Sequence, residues 1–535
     1  MNEIKRAIVE GEELTSALRR GIDKLANTVK TTMVPKGKLV LIERPGQHPI
    51  ITKDGVTVAN AINLEDEVEN LGAQVIKESA ARTAEEAGDG TTTATVLAQS
   101  LYNEGLKMIS AGFDVVGLKK GIQIATEAVV QDVEKSAQKI KSTDDLRKVA
   151  LISANGEKDI ADLIVDAIEA SGEDGHVIVE EAKGFKSSLT VVEGYQIDRG
   201  FLSPYFVTDK NKMTCVMNRP LILMADRNFN SIHELMKPLE MILETQRPVL
   251  IVGNDIDGEA MQGLVLNRVK GSLQICAIKS PGFGGSRHDL LNDLEAVVGG
   301  KVINSSYDMQ NFDMSVFGTC KRVIVDRAKT LFINDENSTD KEQIQSRIET
   351  VKSKLTDPGL ESQEKELLKY RLQQLAGGIA ILRVGAATES ELIERYDRVD
   401  DALNATRAAL QEGILPGGGV ALARASKILR VMARKEKDPN VCAGINIVAK
   451  TCEAPFKQIV TNSGKSPDSI LAKVFESSKN TGYDSRDDVL GNMYDLGIVD
   501  PKKVVRCAIE NATSASSMLL SVGASMIETS KTQDS

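Results

Sequence analysis

The two ends of the chain share one pattern of apolar residues, and the middle follows another. Residues 14–33 and 61–140 carry apolar residues mostly at helical spacing, and long helical patterns return from about residue 390. From about residue 176, short β-branched runs alternate with helical stretches, which is typical of an α/β domain. A helical domain whose two halves flank an inserted α/β domain accommodates both patterns.

Several segments predict individual helices and strands. The N-terminal half contains three short β-like runs, Leu39–Ile42, Ile50–Ile51 and Val56–Val58, the last two separated by a turn at Asp54-Gly55. The strands predicted for the middle are Val177–Val179, Leu221–Met224, Val249–Val252, Ile275–Ile278 and Val323–Val325. One amphipathic helix is predicted to bury Leu118, Ile122, Ala125 and Val129.

Glycines mark the points where the pattern changes. Gly194 lies near the start of the α/β middle, and Gly377-Gly378 lies near its end. Between them, a charged helical hairpin is predicted from Lys341 to Leu375, broken at Asp357-Pro358-Gly359. Glycines at such junctions are hinge candidates, although glycines are also common in ordinary loops.

Composition disfavours several classes of protein. With 535 residues the chain is too long for one core, and roughly two to four domains are expected. A net charge of −10 disfavours nucleic acid and anionic membranes as main partners, and no apolar run approaches the length of a membrane span. The six cysteines show no CxxC spacing, so reduced thiols are expected rather than a zinc site. With no secretory signal visible, the protein is predicted to be cytoplasmic.

One six-residue segment, Gly88 to Thr93, predicts a phosphate-binding loop. Its glycines allow left-handed backbone angles and close approach to a ligand, and its threonines open a predicted helix. Free N–H groups and the positive end of the helix dipole attract phosphate there. Asp89 would repel phosphate unless a cation lay between them, so it is a candidate Mg²⁺ ligand. The alternative is an Asp-Gly turn with a threonine cap, and the hexapeptide alone does not decide between the two.

Three further segments are ambiguous when taken alone. Thr52 to Gly55 places a carboxylate beside an ammonium group, but such a segment is more often a hairpin turn. Gly417 to Gly419 suits close backbone approach to a ligand, and equally a linker. Arg398 to Leu403 places carboxylates on a helix, which is usually a solvated face. The sequence contains no GxxxxGK[ST] motif, which excludes a Walker-type site.

The α/β middle carries more apolar residues than one buried face per helix requires. The stretches 231–243 and 258–269 are apolar over a wide arc, and aromatic residues cluster between Phe201 and Phe206. Core packing explains most of this pattern. The excess predicts an exposed apolar patch, which marks a partner site, and its methionines suit promiscuous binding.

Motifs in one characteristic order extend over nearly the whole chain. They are Ile51 to Val56, Ala87 to Leu97, Ile152 to Asn155, Val192 to Gly194, Asp198 to Phe206, Ala386 to Glu389, Asp401 to Leu403, Pro416 to Val420, Gly491 to Met493 and Gly497 to Pro501. Together they resemble the bacterial-type (group I, GroEL-like) chaperonins, from about residue 15 to about residue 525. So many long motifs in the family's order make the resemblance highly specific.

The resemblance implies a multi-domain, ring-forming subunit. A mostly α-helical equatorial ATPase domain would comprise residues 1–135 and 412–535, and a small α/β intermediate domain residues 136–192 and 379–411. An α/β apical domain that binds substrates would be inserted as residues 193–378. Seven-membered rings would enclose a cavity in which ATP drives the folding of non-native proteins.

The resemblance also implies roles for particular residues. Asp401, on a mobile domain, would orient the hydrolytic water, Asp54 would assist in catalysis, and Asp89 would bind Mg²⁺. The implied nucleotide-binding residues are Thr32, Pro35, Lys53, Asp89, Gly90, Thr91, Thr92, Thr93, Gly418, Asp484 and Asp500. The implied surface for clients and a lid consists of Phe201, Tyr205, Phe206, Met236, Leu239, Met261, Val265 and Leu266.

Cofactors and partners follow from the same resemblance. ATP and Mg²⁺ are implied, with K⁺ as a further candidate. The implied partners are unfolded or partly folded client proteins, other copies of the chain, and a small lid co-chaperonin. Neither nucleic acid nor a membrane is expected as a partner.

Two departures from the family pattern affect the nucleotide site. The family's Leu-Gly-Pro-Lys-Gly motif is Met33 to Gly37 here, so the β-branched Val34 replaces a glycine whose backbone touches the nucleotide. We expect altered nucleotide affinity rather than loss of ATP binding. The position of a base-contacting asparagine is Asp484, which reduces the expected selectivity for adenine.

Two further departures concern assembly. The family's Arg–Glu pair between rings falls at Lys457 and Ser466, and its Lys–Glu pair falls at Lys107 and Lys437, so neither pair retains its acid. Exposed ion pairs contribute only about 0–1 kcal/mol each, but symmetry repeats them around a ring. The family's Gly-Gly-Met-rich tail is also missing. These differences predict a single ring or a readily separating double ring, and they suit a divergent, phage-encoded or secondary chaperonin acting in a host cytoplasm.

Two other interpretations stay open. A weakly cycling or ATPase-impaired holdase would only bind unfolded chains, with Val34 as the cause, although Asp89 and Asp401 are both in place. An archaeal-type chaperonin with a built-in lid would need an additional helical protrusion, for which residues 194–378 leave no obvious room.

Overall fold

Two compact units make up the fold. The computed structural model describes residues 6–33, 35–46, 49–154, 156–171, 176–182, 184–210, 212–271, 273–304, 312–334, 341–355, 362–376 and 378–528. Unit 1 comprises Met1–Asp166, Val179–Ser188 and Arg383–Ser535, and unit 2 comprises Ala167–Ile178 and Leu189–Leu382. The helical ends of the chain thus share one unit, as the sequence pattern predicts.

The helices and strands have the following bounds. The α-helices are α1 Gly11–Val29, α2 Gly55–Ala61, α3 Glu67–Ala87, α4 Thr91–Ser110, α5 Val115–Ser136, α6 Thr143–Ser153, α7 Lys158–Ser171, α8 Met236–Thr245, α9 Gly258–Val269, α10 Gly285–Val298, α11 Lys341–Leu355, α12 Ser362–Ala376, α13 Glu389–Glu412, α14 Val420–Ala433, α15 Pro439–Thr451, α16 Ala454–Asn462, α17 Pro467–Glu476 and α18 Lys502–Leu519. The strands are β1 Arg6–Glu10, β2 Val40–Ile42, β3 Ile50–Thr52, β4 His176–Glu181, β5 Ser188–Ile197, β6 Cys215–Asn218, β7 Leu221–Asp226, β8 Asn228–Phe229, β9 Val249–Gly253, β10 Asp255–Ile256, β11 Ile275–Lys279, β12 Val302–Asn304, β13 Gly318–Thr319, β14 Arg322–Val325, β15 Thr330–Ile333, β16 Gly378–Val384, β17 Ile414–Pro416, β18 Thr481–Asp484, β19 Val489–Asn492, β20 Val499–Pro501 and β21 Ala524–Glu528.

Unit 1 is built mainly from long amphipathic helices. The helices α1, α3, α4, α5, α15 and α18 pack around one core, in which Leu97 and Ile445 are fully buried. The predicted apolar stripe of α5 is confirmed, because all four of its residues are buried: Leu118, Ile122, Ala125 and Val129. Such helices owe most of their stability to the burial of one face. Within the described residues, none of the helices combines the length and the apolarity that a membrane crossing requires.

Two small antiparallel sheets lie at the surface of unit 1. Strand β1 pairs with β21, with Ile8 opposite Met526, and β2 pairs with β3, with Leu41 opposite Ile51. Each of these four side chains is at least half exposed. A two-stranded sheet is only marginally stable alone in water, and its outer strand edges can pair with another chain.

Unit 2 contains two larger sets of strands. In one, β11, β9, β7 and β12 are parallel neighbours, and β13 pairs antiparallel with β7. In the other, β5, β15, β14 and β6 are antiparallel neighbours. Strands covered on both faces are apolar along their whole length. This explains the continuous apolar runs of β7, β9 and β11, which are buried along nearly their whole length. The runs predicted at Val177–Val179 and Val323–Val325 also lie on strands, β4 and β14, where buried residues alternate with partly exposed ones.

One predicted strand is wrong. Val56–Val58 lies in α2, because the Asp54 carboxylate accepts hydrogen bonds from the backbone N–H groups of Val56 (3.1 Å) and Thr57 (2.7 Å) and so caps a helix. An aspartate before a glycine suits both a helix cap and a hairpin turn. The valines favour β-structure by propensity, but capping and tertiary packing prevail here.

Some predictions are not decided by the structure. The predicted apical segment, 193–378, lies within unit 2, but the two-unit division does not separate the intermediate segments 136–192 and 379–411, so the three-domain organisation stays a prediction. Val34, Gly377 and the break at Asp357-Pro358-Gly359 lie outside the described residues. The two arms of the predicted charged hairpin are confirmed as α11 and α12.

Candidate functional site

The predicted phosphate loop joins α3 to α4. Gly88 ends α3 with φ +77°, and Gly90 precedes α4 with φ +92°, so both glycines adopt left-handed conformations that other residues rarely take. Helix α4 begins at Thr91, as predicted. The N–H groups of a first helical turn have no intrahelical acceptor, so this loop presents donors to an anion.

A second loop lies against the first. A Cβ atom at Gly55 would come within 2.4 Å of the Thr92 hydroxyl oxygen and 3.0 Å of the Thr91 hydroxyl oxygen. Any side chain here would displace these hydroxyls, and the close approach brings the half-buried Lys53 and Asp54 beside the threonines. The two loops are far apart in the sequence, and the fold places them next to each other. Each motif was ambiguous when taken alone.

Asp401, on α13, completes a cluster of carboxylates. Burial raises the pKa of Asp401 well above its usual value, and the charges of Asp89 and Asp54 raise it further. Burial also raises the pKa of Asp89, against the opposing effect of the Gly90 N–H donor, and Asp54 adds to the increase. Buried like charges in one place resist ionisation unless a cation joins them. The cluster is therefore suited to a divalent cation that carries phosphate.

The predicted Mg²⁺ ligand is consistent with this donor set. Within the described residues, no group of three or more His, Cys, Asp or Glu side chains is arranged to enclose a metal ion. Mg²⁺ does not require such a cage, because it is usually held by one or two carboxylates together with waters and substrate phosphates. One carboxylate at the mouth of a phosphate loop meets that description.

A third segment lies beside the loops through β17 and β20. Leu415 pairs with Asp500 in this short antiparallel ladder, and the Asp500 carboxylate accepts hydrogen bonds from the backbone N–H groups of Gly419 and Gly418. Burial is the main cause that raises the pKa of Asp500 to about 6, and the charge of Asp89 contributes. The glycine turn and Asp500 thus belong to the same site as the phosphate loop.

The remaining predicted nucleotide residues lie on neighbouring elements. The Asp484 carboxylate, 9% exposed at the end of β18, accepts a hydrogen bond from the Arg486 N–H at 2.8 Å. Thr32 is buried, and its hydroxyl donates a hydrogen bond to the Val29 carbonyl oxygen at 2.8 Å. Pro35 lies three residues later in the chain. No contact in the described part of the chain joins these three residues to Asp89, so their roles stay predictions.

An exposed apolar surface lies in unit 2. Its residues are Tyr205 (67% exposed), Met236 (45%), Leu243 (48%), Leu266 (52%) and Val269 (65%). Met236 and Leu243 share one face of α8, and Leu266 and Val269 share one face of α9. The short 3₁₀-helices Pro204–Phe206 and Ile232–Leu235 both contact α9, and the second runs into α8. These elements are neighbours in the fold, and the five exposed residues on them are hereafter called the apolar surface.

Other predicted client-binding residues belong to the core. Phe206 is fully buried and Leu239 is 7% exposed, so neither side chain forms part of the surface. Phe201, Met261 and Val265 are partly buried and pack against the same core. The prediction thus combined exposed residues with the core residues that support them.

Sequence reasoning missed two contacts of the site. Asn404 on α13 lies against Gly88, where a Cβ would come within 2.4 Å of the Asn404 Cβ. Asn462 donates to the carbonyl oxygens of Lys30 (3.1 Å) and Met33 (3.0 Å) and so holds the loop that follows α1. Both contacts join distant parts of the chain, and no local pattern signals them.

Comparison with known sequences decides the family. The sequence model of the TCP-1/cpn60 chaperonin family matches residues 25–530, nearly the whole chain. The chain belongs to the TCP-1/cpn60 chaperonin family. The family resemblance that the motifs indicated is thereby confirmed.

Solved structures agree with this chaperonin fold. Two crystal structures of the chaperonin gp146 from the bacteriophage EL 2 (Pseudomonas aeruginosa), both in the presence of ATP-BeFx, match with 22% sequence identity. Each match covers 98% of this chain and 99% of that chain, with TM-scores of 0.69 (crystal form II) and 0.63 (crystal form I). At this identity the similarity shows a shared fold, which confirms the predicted fold class.

Proposed function

We propose that this chaperonin hydrolyses ATP and uses the energy to promote folding of non-native proteins. The observation that supports the proposal best is the convergence of Asp89, Asp54 and Asp401 at the N-terminus of α4. Family members are ATPases, and the similar phage chaperonin was crystallised with an ATP analogue. Holding mutually repelling, half-buried carboxylates together is unfavourable without a cation, and such sites are commonly functional.

Each residue has a distinct role in the proposed reaction. The first turn of α4 and the Thr91–Thr93 hydroxyls would donate hydrogen bonds to phosphate oxygens, with Lys53 beside them. Asp89 would hold Mg²⁺, which when bound offsets phosphate charge. Asp401 would accept a hydrogen bond from the attacking water and orient it in line with the phosphorus atom. Asp500, through the turn that includes Gly418, would fix the nucleoside end.

Client binding is assigned to the apolar surface. Tyr205, Met236 and Leu266 expose apolar groups whose burial against an unfolded chain is favourable by about 25 cal/mol per Å². Unfolded chains differ in sequence, and a surface with flexible side chains such as Met236 can adapt to many of them. A small lid co-chaperonin is a further candidate partner of the same surface.

Ring assembly is supported by the two small sheets of unit 1. The exposed pairs Ile8–Met526 and Leu41–Ile51 leave apolar side chains and strand edges without partners in the described part of one chain. Pairing of one sheet with the other sheet of a neighbouring copy would cover the apolar side chains and supply hydrogen-bond partners to the strand edges. Such a head-to-tail contact forms a ring when its rotation closes. We propose a seven-membered ring.

Contacts between two rings are expected to be weak. Lys457 already lies 3.2 Å from Glu453 and 2.8 Å from Asp468 of its own chain, and Lys107 is paired with Glu104. An ion pair between either lysine and a second ring would therefore add less stabilisation. One ring would weigh about 405 kDa, seven times the 57.8 kDa of one chain. Native mass spectrometry without nucleotide, with ATP and with ADP is expected to show this mass under at least one condition, and a double mass under all three would contradict weak pairing.

Substitution of Asp401 tests the proposed activity. Wild-type protein is expected to hydrolyse ATP and to refold a denatured client, whereas Asp401→Ala is expected to bind ATP but lose about 100-fold or more in turnover. Glu389→Gln is the matched control, since it removes an exposed carboxylate about three turns earlier on the same helix, α13. If wild type binds unfolded chains but hydrolyses no ATP, the holdase alternative replaces the proposal.

A further inference from the structure

Helix α13 meets the phosphate loop through an unusually close contact. A Cβ atom added to Gly88 would lie 2.4 Å from the Asn404 Cβ and 2.8 Å from the Asn404 Cγ. Real Cβ atoms do not approach other carbons so closely, so only a glycine at position 88 lets α13 lie where it does. The Gly88 φ of +77° independently favours glycine at this position.

This contact belongs to a row of three. Ala87 packs in one apolar cluster with Ala408, Gly88 lies against Asn404, and Asp89 interacts with Asp401 through its charge. Residues 401, 404 and 408 fall on one face of α13, because they are spaced i, i+3 and i+7. Three consecutive residues, the last of α3 and the first two of the loop, therefore face three successive positions of one helix face.

We propose that the contact between Gly88 and Asn404 sets the distance between the Asp401 carboxylate and the phosphate loop, so that Asn404 is a positioning residue for ATP hydrolysis. The inference rests on the proposed ATPase function and names a determinant of its rate. Asn404 contacts Gly88 of the loop, and it acts through the helical turn that joins it to Asp401.

The expected effect follows from the rigidity of a helix. A bulkier group at either position would push α13 away from the loop, and the helix would carry Asp401 with it. Displacement of a catalytic group by about 1 Å can cost about 100-fold in rate, while ligand affinity depends mainly on the loops that touch the ligand. The contact should therefore influence kcat far more than the affinity for ATP.

A pair of compensating substitutions tests the proposal. Gly88→Ala is expected to lower kcat for ATP hydrolysis about 10- to 100-fold, with the Kd for ATP changed less than about threefold. Adding Asn404→Gly removes the Cβ that the new methyl group strikes, so the double variant is expected to recover most of the lost rate. The strain of alanine at a positive φ is present in both variants, so recovery reports the contact alone.

Two further variants control the experiment. Gly88→Ala with Ile393→Gly places the same helix-weakening glycine about three turns away on α13, at an exposed position, and is expected to recover nothing. Asn404→Ile adds a methyl branch at the Cβ atom that lies nearest Gly88, so it crowds the contact from the α13 side without backbone strain at Gly88. It is expected to lower kcat and leave ATP affinity unchanged, and it serves if Gly88→Ala does not fold.

The outcomes separate this inference from the proposed function. A wild-type protein that hydrolyses ATP and loses turnover in Asp401→Ala, combined with full activity in Gly88→Ala and Asn404→Ile, overturns the positioning role alone. Equal recovery by Asn404→Gly and Ile393→Gly overturns it as well. A wild-type protein without turnover overturns the proposed function itself.

Discussion

The candidate nucleotide site and the apolar surface are opposite exceptions to the rule that charged side chains are exposed and apolar side chains are buried. Around Asp89 and Asp401, half-buried carboxylates lie near one another, and desolvation together with their mutual repulsion raises their pKa values and opposes ionisation. Around Leu266 and Val269, large apolar side chains remain exposed to water. Both arrangements are unfavourable in the isolated chain.

The difference indicates what each region binds. Repulsion between buried carboxylates falls when a cation with its phosphates is bound, whereas exposed apolar groups leave water only when another apolar surface covers them. A substitution that removes a buried charge should therefore stabilise the nucleotide-free protein while it lowers activity. A polar substitution in the apolar surface should lower client binding and leave stability unchanged.

The sharpest contrast within unit 2 lies between two adjacent aromatic residues. Phe206→Ala is expected to lower the free energy of unfolding by about 3–5 kcal/mol, because it empties space in the core. Tyr205→Ala, at a residue 67% exposed, is the matched control and is expected to change it by about 0.5 kcal/mol or less. Denaturant titrations monitored by circular dichroism measure both. Equal losses in the two variants would show that Tyr205 also supports the core.

The next largest effect is expected at Asp89. Asp89→Asn should lower ATP turnover about 100- to 1000-fold, since it removes a charge that acts on the phosphates. It should not lower the thermal stability of the nucleotide-free protein, because burial and Asp54 already oppose the charge. Asp114→Asn, at the exposed cap of α5, is the control and should change neither quantity. A clear loss of stability in Asp89→Asn would place Asp89 among structural residues.

Asp500 gives the site a pH dependence. Its folded-state pKa is about 6, raised from 3.8, so the folded protein binds a proton that the unfolded chain releases between these values. Stability contributed by this group is therefore present at low pH and is lost as pH rises from about 4 through 6, by up to about 3 kcal/mol at 1.36 kcal/mol per pKa unit. Asp500→Asn should flatten the pH dependence of the thermal midpoint of nucleotide-free protein over that window. An unchanged profile would contradict the raised pKa.

The smallest effect is expected at the apolar surface. Leu266→Ser should weaken binding of a labelled, permanently unfolded protein about tenfold. Complete burial of a leucine side chain is favourable by about 1.5–3 kcal/mol, and roughly half of this remains for a client to provide because Leu266 is half exposed. Val116→Ser, at an exposed apolar residue in unit 1, is the control and should leave affinity unchanged. Fluorescence anisotropy measures both. Equal weakening in both variants would mean that clients bind without regard to the apolar surface.

The nucleotide loops could be predicted well from the sequence because their conformations are locally determined. The left-handed angles of Gly88 and Gly90 require glycine, and a helix that starts at Thr91 follows from the apolar spacing after it. The same local patterns were ambiguous at Val56–Val58, where an aspartate before a glycine suited two structures. In the folded protein, the segment Val56–Val58 is helical because of its cap and its packing against other elements.

The apolar surface could be predicted only in outline. Tyr205 and Phe206 are adjacent and both aromatic, yet one is exposed and the other is fully buried, because a 3₁₀-helix turns them to different sides. Leu239 and Leu266 are likewise identical in type and differ in exposure. The spacing of apolar residues shows which of them share a helix face. Which of them stay exposed depends on how the helices pack. The contact of Asn404 with Gly88 is of the same kind, since it depends on the folded arrangement alone.

The division of unit 1 into distant stretches of sequence determines the order in which the protein can fold as it is made. A ribosome completes the residues of unit 2 before it makes α15 and α18, which pack against α4 and α5 in the core of unit 1. Until then, the faces of α4 and α5 that α15 and α18 cover in the folded protein remain open. Nascent chains with such open apolar faces are prone to aggregate. During its own synthesis, this chaperonin therefore exposes apolar faces, as do the unfolded chains that it is proposed to bind.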